Sequence, residues 1–335
     1  MSRMPRHDGR LTGRWLPGLT ALLASGCGGP SSVLDPRGPG AAQIASLTWV
    51  LIGVAGGLYV VVLAALVIAV RRRGASPTGS ERWGRAGVVA GGIVLPLLVL
   101  PVLVTVSVRT LAAVTRPASA ALVVEVVGQQ YWWDLRYRTP DGRDLAVAAN
   151  ELHLPAGRRV ELHLRSVDVI HSFWVPALQG KLDLVPGKTN VTWVHAEAPG
   201  IHPGQCAEYC GIQHALMRLL VVVERAEDFD AWLLSQREPA RPPADSGRAQ
   251  DLFLLHCAHC HTVRGTAAFF GHTGPDLTHL MSRRTLAAGT LANVKGNLAG
   301  WLADPQHHKP GSRMPRITLP PDDFHAVLDY LTSLR

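Results

Sequence analysis

The sequence predicts a membrane-anchored protein in three parts: two transmembrane helices, then an all-β sandwich or barrel, then an all-α domain. Three observations predict it. Leu47–Val70 and Ala86–Val108 are uncharged and apolar, each long enough to cross a hydrocarbon core of roughly 30 Å. From Ala120 to Val223 the pattern breaks into short β-type runs separated by turn residues. After a proline-rich polar stretch it turns helical. The 335 residues suit two or three domains. Charged residues make up 17% of the chain, below the roughly 25% of soluble domains, as expected where part of it sits in lipid. A hydrophobic content of 47% excludes disorder over the whole length.

Residues 1–26 read as a signal peptide. Arg3, Arg6, Arg10 and Arg14 precede the apolar run Trp15–Ala24, which is too short to span a membrane. Ala24-Ser-Gly-Cys27 resembles a bacterial lipoprotein cleavage box with Cys27 as lipid acceptor, although Ala24 stands where Leu is usual. An external segment, 27–46, follows. The spans 47–70 and 86–109 flank a loop, 71–85, that carries Arg71, Arg72, Arg73, Arg82 and Arg85. By the positive-inside rule this loop is cytoplasmic, so everything beyond residue 110 is exported to the periplasmic side of a bacterial inner membrane. The formal charge of +8 lies mostly in these two arginine clusters. No basic stripe remains for nucleic acid.

The exported part begins with strand-like runs at 121–127, 160–164, 191–194 and 219–223. Pro155-Ala-Gly157, Pro186-Gly187 and Pro199-Gly200 punctuate them, which suggests an antiparallel sandwich or barrel over 118–230. The segment 236–247 reads as a linker. In the remainder, 248–335, helices are expected at 250–256 and 322–334, the second following Pro320-Pro321 with acidic residues in its first turn.

Beyond Cys27, the cysteines fall into two pairs. In an exported protein two disulfides are one reading. The surroundings favour metal chemistry. In Cys206-Ala-Glu208-Tyr-Cys210-Gly-Ile-Gln-His214-Ala-Leu-Met217, thiolates, imidazole and thioether are the soft donors that suit copper. Two cysteines four apart can bridge two copper ions, each needing one histidine: His214, and His171 from Asp168-Val-Ile-His171. Structural zinc is the alternative. Cys257-Ala-His-Cys260-His261 is the attachment sequence for a c-type heme, with His261 placed to bind the iron. A high potential calls for a thioether on the other side, and Met281 and Met314 are the downstream candidates. Met314, in Arg313-Met-Pro315 before the last helix, is preferred.

The run Gly204–Met217 resembles subunit II of the heme-copper cytochrome c oxidases, whose motif Gly-Gln-Cys-x-Glu-x-Cys-Gly-x-x-His-x-x-Met it matches without a gap. The resemblance implies two membrane helices followed by a cupredoxin domain holding the binuclear copper centre, Cu(A). It implies that Cys206 and Cys210 bridge the coppers, His171 and His214 cap them, and Met217 and the Glu208 carbonyl are weak ligands. The Glu208 side chain would face a magnesium ion shared with subunit I. Tyr131-Trp132-Trp133 resembles the family's aromatic patch where electrons enter, with Tyr131 in place of a frequent Trp. Many members carry a Glu shortly before the proline of the second membrane helix. Here Ala86–Leu95, ahead of Pro96, holds no carboxylate, and Glu81 is assigned no proton-uptake role. The last domain is similar to class I cytochromes c, where the axial Met precedes the final helix and a Pro carbonyl, here in Gly274-Pro275-Asp-Leu277, orients the ligand His.

The expected function is that of an oxidase subunit II. It would take electrons from a donor, such as a cytochrome c or a cytochrome bc complex, through heme c and Cu(A) to subunit I, which reduces dioxygen with proton translocation. Subunit I and subunit III are the expected partners, with the chain held in the membrane and no nucleic acid involved. The copper ligands speak against a quinol oxidase subunit. A Cu(A)-bearing subunit of a nitric oxide reductase and a stand-alone membrane-tethered electron carrier are the alternatives.

Overall fold

The computed structural model describes residues 28–29, 31–72, 80–115 and 120–335. The expected signal peptide, Cys27 and residues 73–79 of the arginine-bearing loop lie outside the described residues.

The first long helix, Pro39–Arg71, begins eight residues before the expected span. Proline in its first turn suits a helix start, since the missing N–H has no intrahelical partner there. Its opening turns rest on the β domain: Arg37 and Ala41 donate their backbone N–H to the carbonyls of Ala177 and Leu178, and Gly40, Ala41 and Ala45 are buried. A Cβ on Gly38 would stand 2.3 Å from the His195 carbonyl oxygen, so the chain passes here only without a side chain. The helix therefore serves as both anchor and buttress. The second apolar helix runs from Ser80–Val89 through a π-helical turn, Ala90–Val94, into Leu95–Thr115. Both are long and apolar enough to cross a membrane.

Ten strands build the next domain: β1 (Val123–Gln129), β2 (Trp132–Arg138), β3 (Asp144–Ala149), β4 (Glu151–Pro155), β5 (Val160–Ser166), β6 (His171–Trp174), β7 (Leu182–Leu184), β8 (Asn190–Val194), β9 (Gly200–Cys206) and β10 (Arg218–Glu224). They form two five-stranded sheets, ordered β3-β2-β1-β5-β8 and β4-β10-β9-β6-β7. The expected antiparallel arrangement is modified, because β1 pairs with β5 and β4 with β10 in parallel. Inward residues of both sheets, among them Val124, Leu135, Leu162, Leu152, Phe173 and Val221, form one core. Between β3 and β4 the chain turns at Asn150, φ 63°, a left-handed conformation that asparagine tolerates. The Asn150 Oδ1 accepts from the Trp133 N–H at 2.9 Å, which ties the two sheets' connection to β2.

Helix Ala226–Ser235 closes one side of the sandwich, with Phe229 and Trp232 against Tyr137. The following stretch is not a free linker. Ala240 donates its N–H to the Arg264 carbonyl, the Arg264 guanidinium donates to the Gln236 carbonyl at 2.7 Å, and the His279 ring lies 3.0 Å from the Glu238 carbonyl. His279 is buried there. The last domain contains helices Gly247–His256, Lys295–Ala303 and Pro321–Ser333 around a second core that includes Phe253, Leu298 and Leu331.

The β domain and the last, helical domain share an interface with buried polar groups. The Glu151 carboxylate, 2% exposed, accepts from the backbone N–H groups of Arg284 and Thr285, each at 2.7 Å, and from the Thr285 hydroxyl at 3.0 Å. The Lys309 ammonium, equally buried, donates to the carbonyls of Leu216 at 3.0 Å, Ala287 at 3.2 Å and Tyr131 at 3.5 Å. All three protons of the ammonium can thus be used, which is the condition for burying such a group.

Candidate metal and heme centres

The loop after β9 brings the copper candidates together at one end of the sandwich. The Cys206 and Cys210 sulfurs lie 3.8 Å apart and are free thiols. The Nδ1 of His171, at the start of β6, lies 3.9 Å from the Cys206 sulfur. On the other side His214 Nδ1 lies 3.8 Å from the Cys210 sulfur. The Met217 sulfur is 3.9 Å from Cys210, and the Glu208 carbonyl oxygen is 3.2 Å from Cys206. Metal–thiolate bonds are about 2.3 Å, so an ion can touch both sulfurs when they are closer than about 4.6 Å. With one imidazole beside each sulfur, the donor set fits a pair of soft ions bridged by two thiolates. The Glu208 side chain is half-exposed, with one oxygen 3.8 Å from the Lys181 ammonium.

Electrostatics prepare the sulfur pair. The hydrogen bond from Cys210 is the largest influence holding the Cys206 thiol far below its ordinary value, and His171 adds to it. Cys210, beside that sulfur, is pushed up. A cation between the sulfurs would remove this opposition and let both act as thiolates.

His171 is wholly buried, and its orientation is fixed from behind. Its Nε2 faces Asp168 Oδ1 at 2.8 Å, leaving Nδ1 toward the sulfur. Burial pulls its pKa down, but the bonds to Asp168 and Cys206 outweigh that and leave it raised. Asp168 is itself held by the backbone N–H groups of Gln130 and Val169, each at 2.7 Å. Gly128 lets the imidazole lie flat on β1, since a Cβ there would stand 2.8 Å from the His171 ring. Gly211 takes φ +127° with the Tyr131 hydroxyl close by, a position that favours glycine.

The heme candidates line one cavity of about 560 Å³, which Cys257, Cys260, His261 and Met314 share with Tyr131 and Trp132 of the β domain. His261 donates from Nδ1 to the Pro275 carbonyl at 2.9 Å, so its Nε2 lone pair is free. Burial pushes the His261 pKa down and favours the neutral, ligating form. Gly274 lies against this ring: a Cβ there would stand 2.7 Å from the His261 Cε1. Met281, the other thioether, is half-buried in the helical core and does not line the cavity. Two thiols, an oriented imidazole and a thioether on one largely apolar cavity fit a covalently held heme.

The three aromatic candidates divide. Tyr131 and Trp132 line the heme cavity, with Trp132 against Ala149 and Ala288. Trp133 is fully buried, edge-on to His171 at a centroid distance of 6.2 Å. Sequence reasoning missed Gln130, Asp168, Glu151 and Lys309; only the Asp168–His171 spacing, three apart, carried a signal.

Family comparison agrees with both domains that follow the two apolar helices. Residues 139–225 match the family "Cytochrome C oxidase subunit II, periplasmic domain", and residues 246–335 match "Cytochrome c". The chain is 33% identical to cytochrome c oxidase subunit 2 of Alkalihalophilus pseudofirmus over 96% of its own length and 97% of the relative's. It is 31% identical to the protein of the same name from Bacillus subtilis, over 95% and 96%. The crystal structure of the periplasmic domain of subunit II of cytochrome oxidase of Bradyrhizobium japonicum covers 36% of this chain and 96% of that one, at 31% identity and a TM-score of 0.32. With a relative of this identity matched almost end to end, the chain belongs to the cytochrome c oxidase subunit 2 family, in the form that carries a cytochrome c domain at its C-terminus.

Proposed function

We propose that this chain is the electron-input subunit of a respiratory terminal oxidase, relaying electrons from a donor such as a cytochrome c or cytochrome bc complex to the heme-copper subunit I. When bound, a heme c and a binuclear copper centre would supply reversible one-electron chemistry. Subunit I would reduce dioxygen and translocate protons, with subunit III beside it in the bacterial inner membrane. The observation that carries this reading is the pairing of two sulfurs 3.8 Å apart with one imidazole each.

The chain's own residues hold, orient and shield. Cys206 and Cys210 would bridge the copper ions, His171 and His214 cap them, and Met217 and the Glu208 carbonyl complete the set. Asp168 fixes the His171 tautomer from behind, as carboxylates behind metal-bound imidazoles do. Burial of Cys206, Cys210 and Met217 keeps water from the sulfur cluster. Cys257 and Cys260 would hold the heme covalently, with His261 and Met314 as its iron ligands. The half-exposed Glu208 carboxylate is suited to a magnesium ion at the border with subunit I. The arginine-bearing loop 71–85 between the two apolar spans supports an exported orientation for the two domains.

The test is metal and heme analysis of the purified full chain. Two coppers with a mixed-valence EPR signal and one covalent heme are expected. A single copper, or zinc, would overturn the binuclear assignment. Oxygen consumption by the assembled complex, with no turnover of nitric oxide, separates the oxidase from the reductase alternative. Isolation as a lone chain would favour the carrier.

A further inference from the structure

The segment that leads to Met314 lies directly on the copper loop. The Lys309 ammonium donates to the Leu216 carbonyl, one residue before Met217. The Pro310 carbonyl accepts from the Gln213 side chain, one residue before His214. Gly311 packs on Ile212, where a Cβ would stand 2.6 Å from the isoleucine Cγ2. Arg313, one residue before Met314, donates to the Gln130 Oε1. The Gln130 Nε2 in turn donates to the Cys210 carbonyl at 2.6 Å, and its backbone N–H reaches Asp168, which holds His171. Gln130 also lines the heme cavity.

We propose that Gln130 is the positioning residue for electron transfer between heme and copper, bridging the Arg313–Met314 segment to the Cys210 backbone. This rests on the electron-relay reading above. In the step it would serve, a reduced heme would lose one electron and an oxidised copper pair would gain it, with no covalent bond formed or broken. Two consecutive hydrogen bonds join a neighbour of one candidate iron ligand to the main chain of a candidate copper ligand. Of the aromatic alternatives, Trp133 meets His171 only edge-on and does not line the cavity.

The experiment uses the full chain loaded with heme and copper. An electron is injected by a photoreductant, and the heme absorption band and the copper near-infrared band are followed in time. Gln130→Leu keeps the backbone N–H that serves Asp168 but removes both side-chain bonds. It is expected to slow heme-to-copper transfer by about tenfold or more, the usual cost of losing a group that supports a metal ligand. Both optical spectra, the copper EPR signal and both midpoint potentials should stay in place, which a merely structural role would not produce. Arg313→Leu, on the exposed side away from the copper ligands, should slow the same step, and the double variant should add little. Should Gln130→Leu lose its copper signal, Arg313→Leu decides. Transfer rates like the wild type's in a copper-replete variant would overturn the assignment of Gln130. Absence of transfer, heme or copper in the wild-type chain would instead sink the relay reading itself.

Discussion

Asp168 stands behind His171, its Oδ1 2.8 Å from the imidazole Nε2, so that Nδ1 is the nitrogen offered to the Cys206 sulfur. The carboxylate is anchored by two backbone N–H groups and hydrogen bonding keeps its pKa low despite partial burial. Its charge is therefore present whenever the imidazole needs a partner. Asp168→Ala should leave the ring free to rotate within its pocket. Copper affinity is expected to fall about 10–100-fold. Copper titration followed by EPR checks this, and affinity equal to wild type would show that the tautomer is fixed by other means.

Gly128 makes a second, steric demand on the same ring. A Cβ at this position would lie 2.8 Å from His171 Cδ2, closer than real contacts allow. Because β1 is central in its sheet, paired on both sides with β2 and β5, the backbone has little room to retreat. Gly128→Ala should push the imidazole off its position and cost about 1–3 kcal/mol through overpacking. Thermal unfolding gives the stability, and a changed copper spectrum reports the displaced ligand.

The interface residue Glu151 offers a test that touches neither centre. Its buried carboxylate satisfies two backbone N–H groups and one hydroxyl of the cytochrome domain. Glu151→Ala leaves these donors unpaired and should cost about 1–3 kcal/mol. Limited proteolysis within 236–247 should quicken, because the cytochrome domain then separates from the sandwich more often, while heme and copper spectra persist.

The two candidate centres were legible because most of each is written contiguously, with His171 and Met314 the members that come from elsewhere in the chain. Cys206 to Met217 spans one loop and Cys257 to His261 another, so spacing alone gives the donor types. The supports were not legible, because Gln130 meets Cys210 and Glu151 meets Thr285 across 80 and 134 positions of sequence. The fold shows the same division. Runs such as Leu219–Val223 announce strands by composition, whereas the parallel pairing of β1 with β5 leaves no local turn to read. The start of the first helix at Pro39 escaped an argument based on uncharged length, since its opening turns face protein rather than lipid. The 236–247 stretch looked like a linker from its prolines, but its carbonyls serve Arg264 and His279.

Met314 and Met281 are the two thioethers downstream of His261. Met314 lines the cavity that also holds Cys257, Cys260 and His261; Met281 lies off it, its N–H bonded to the Leu334 carbonyl. A thioether ligand stabilises the reduced iron and raises the potential. Met314→Ala should therefore lower the heme potential and abolish the methionine-to-ferric-iron charge-transfer band, with the heme still attached through Cys257 and Cys260. Met281→Ala should leave that band intact and only weaken the core, by about 2–5 kcal/mol if the site does not collapse. Redox titration of both variants, with heme staining under denaturing conditions as the control for attachment, separates ligand from core residue. The reverse pattern would assign the iron to Met281 and would require the Met281 side chain, in the short helical turn Leu280–Ser282, to move into the cavity.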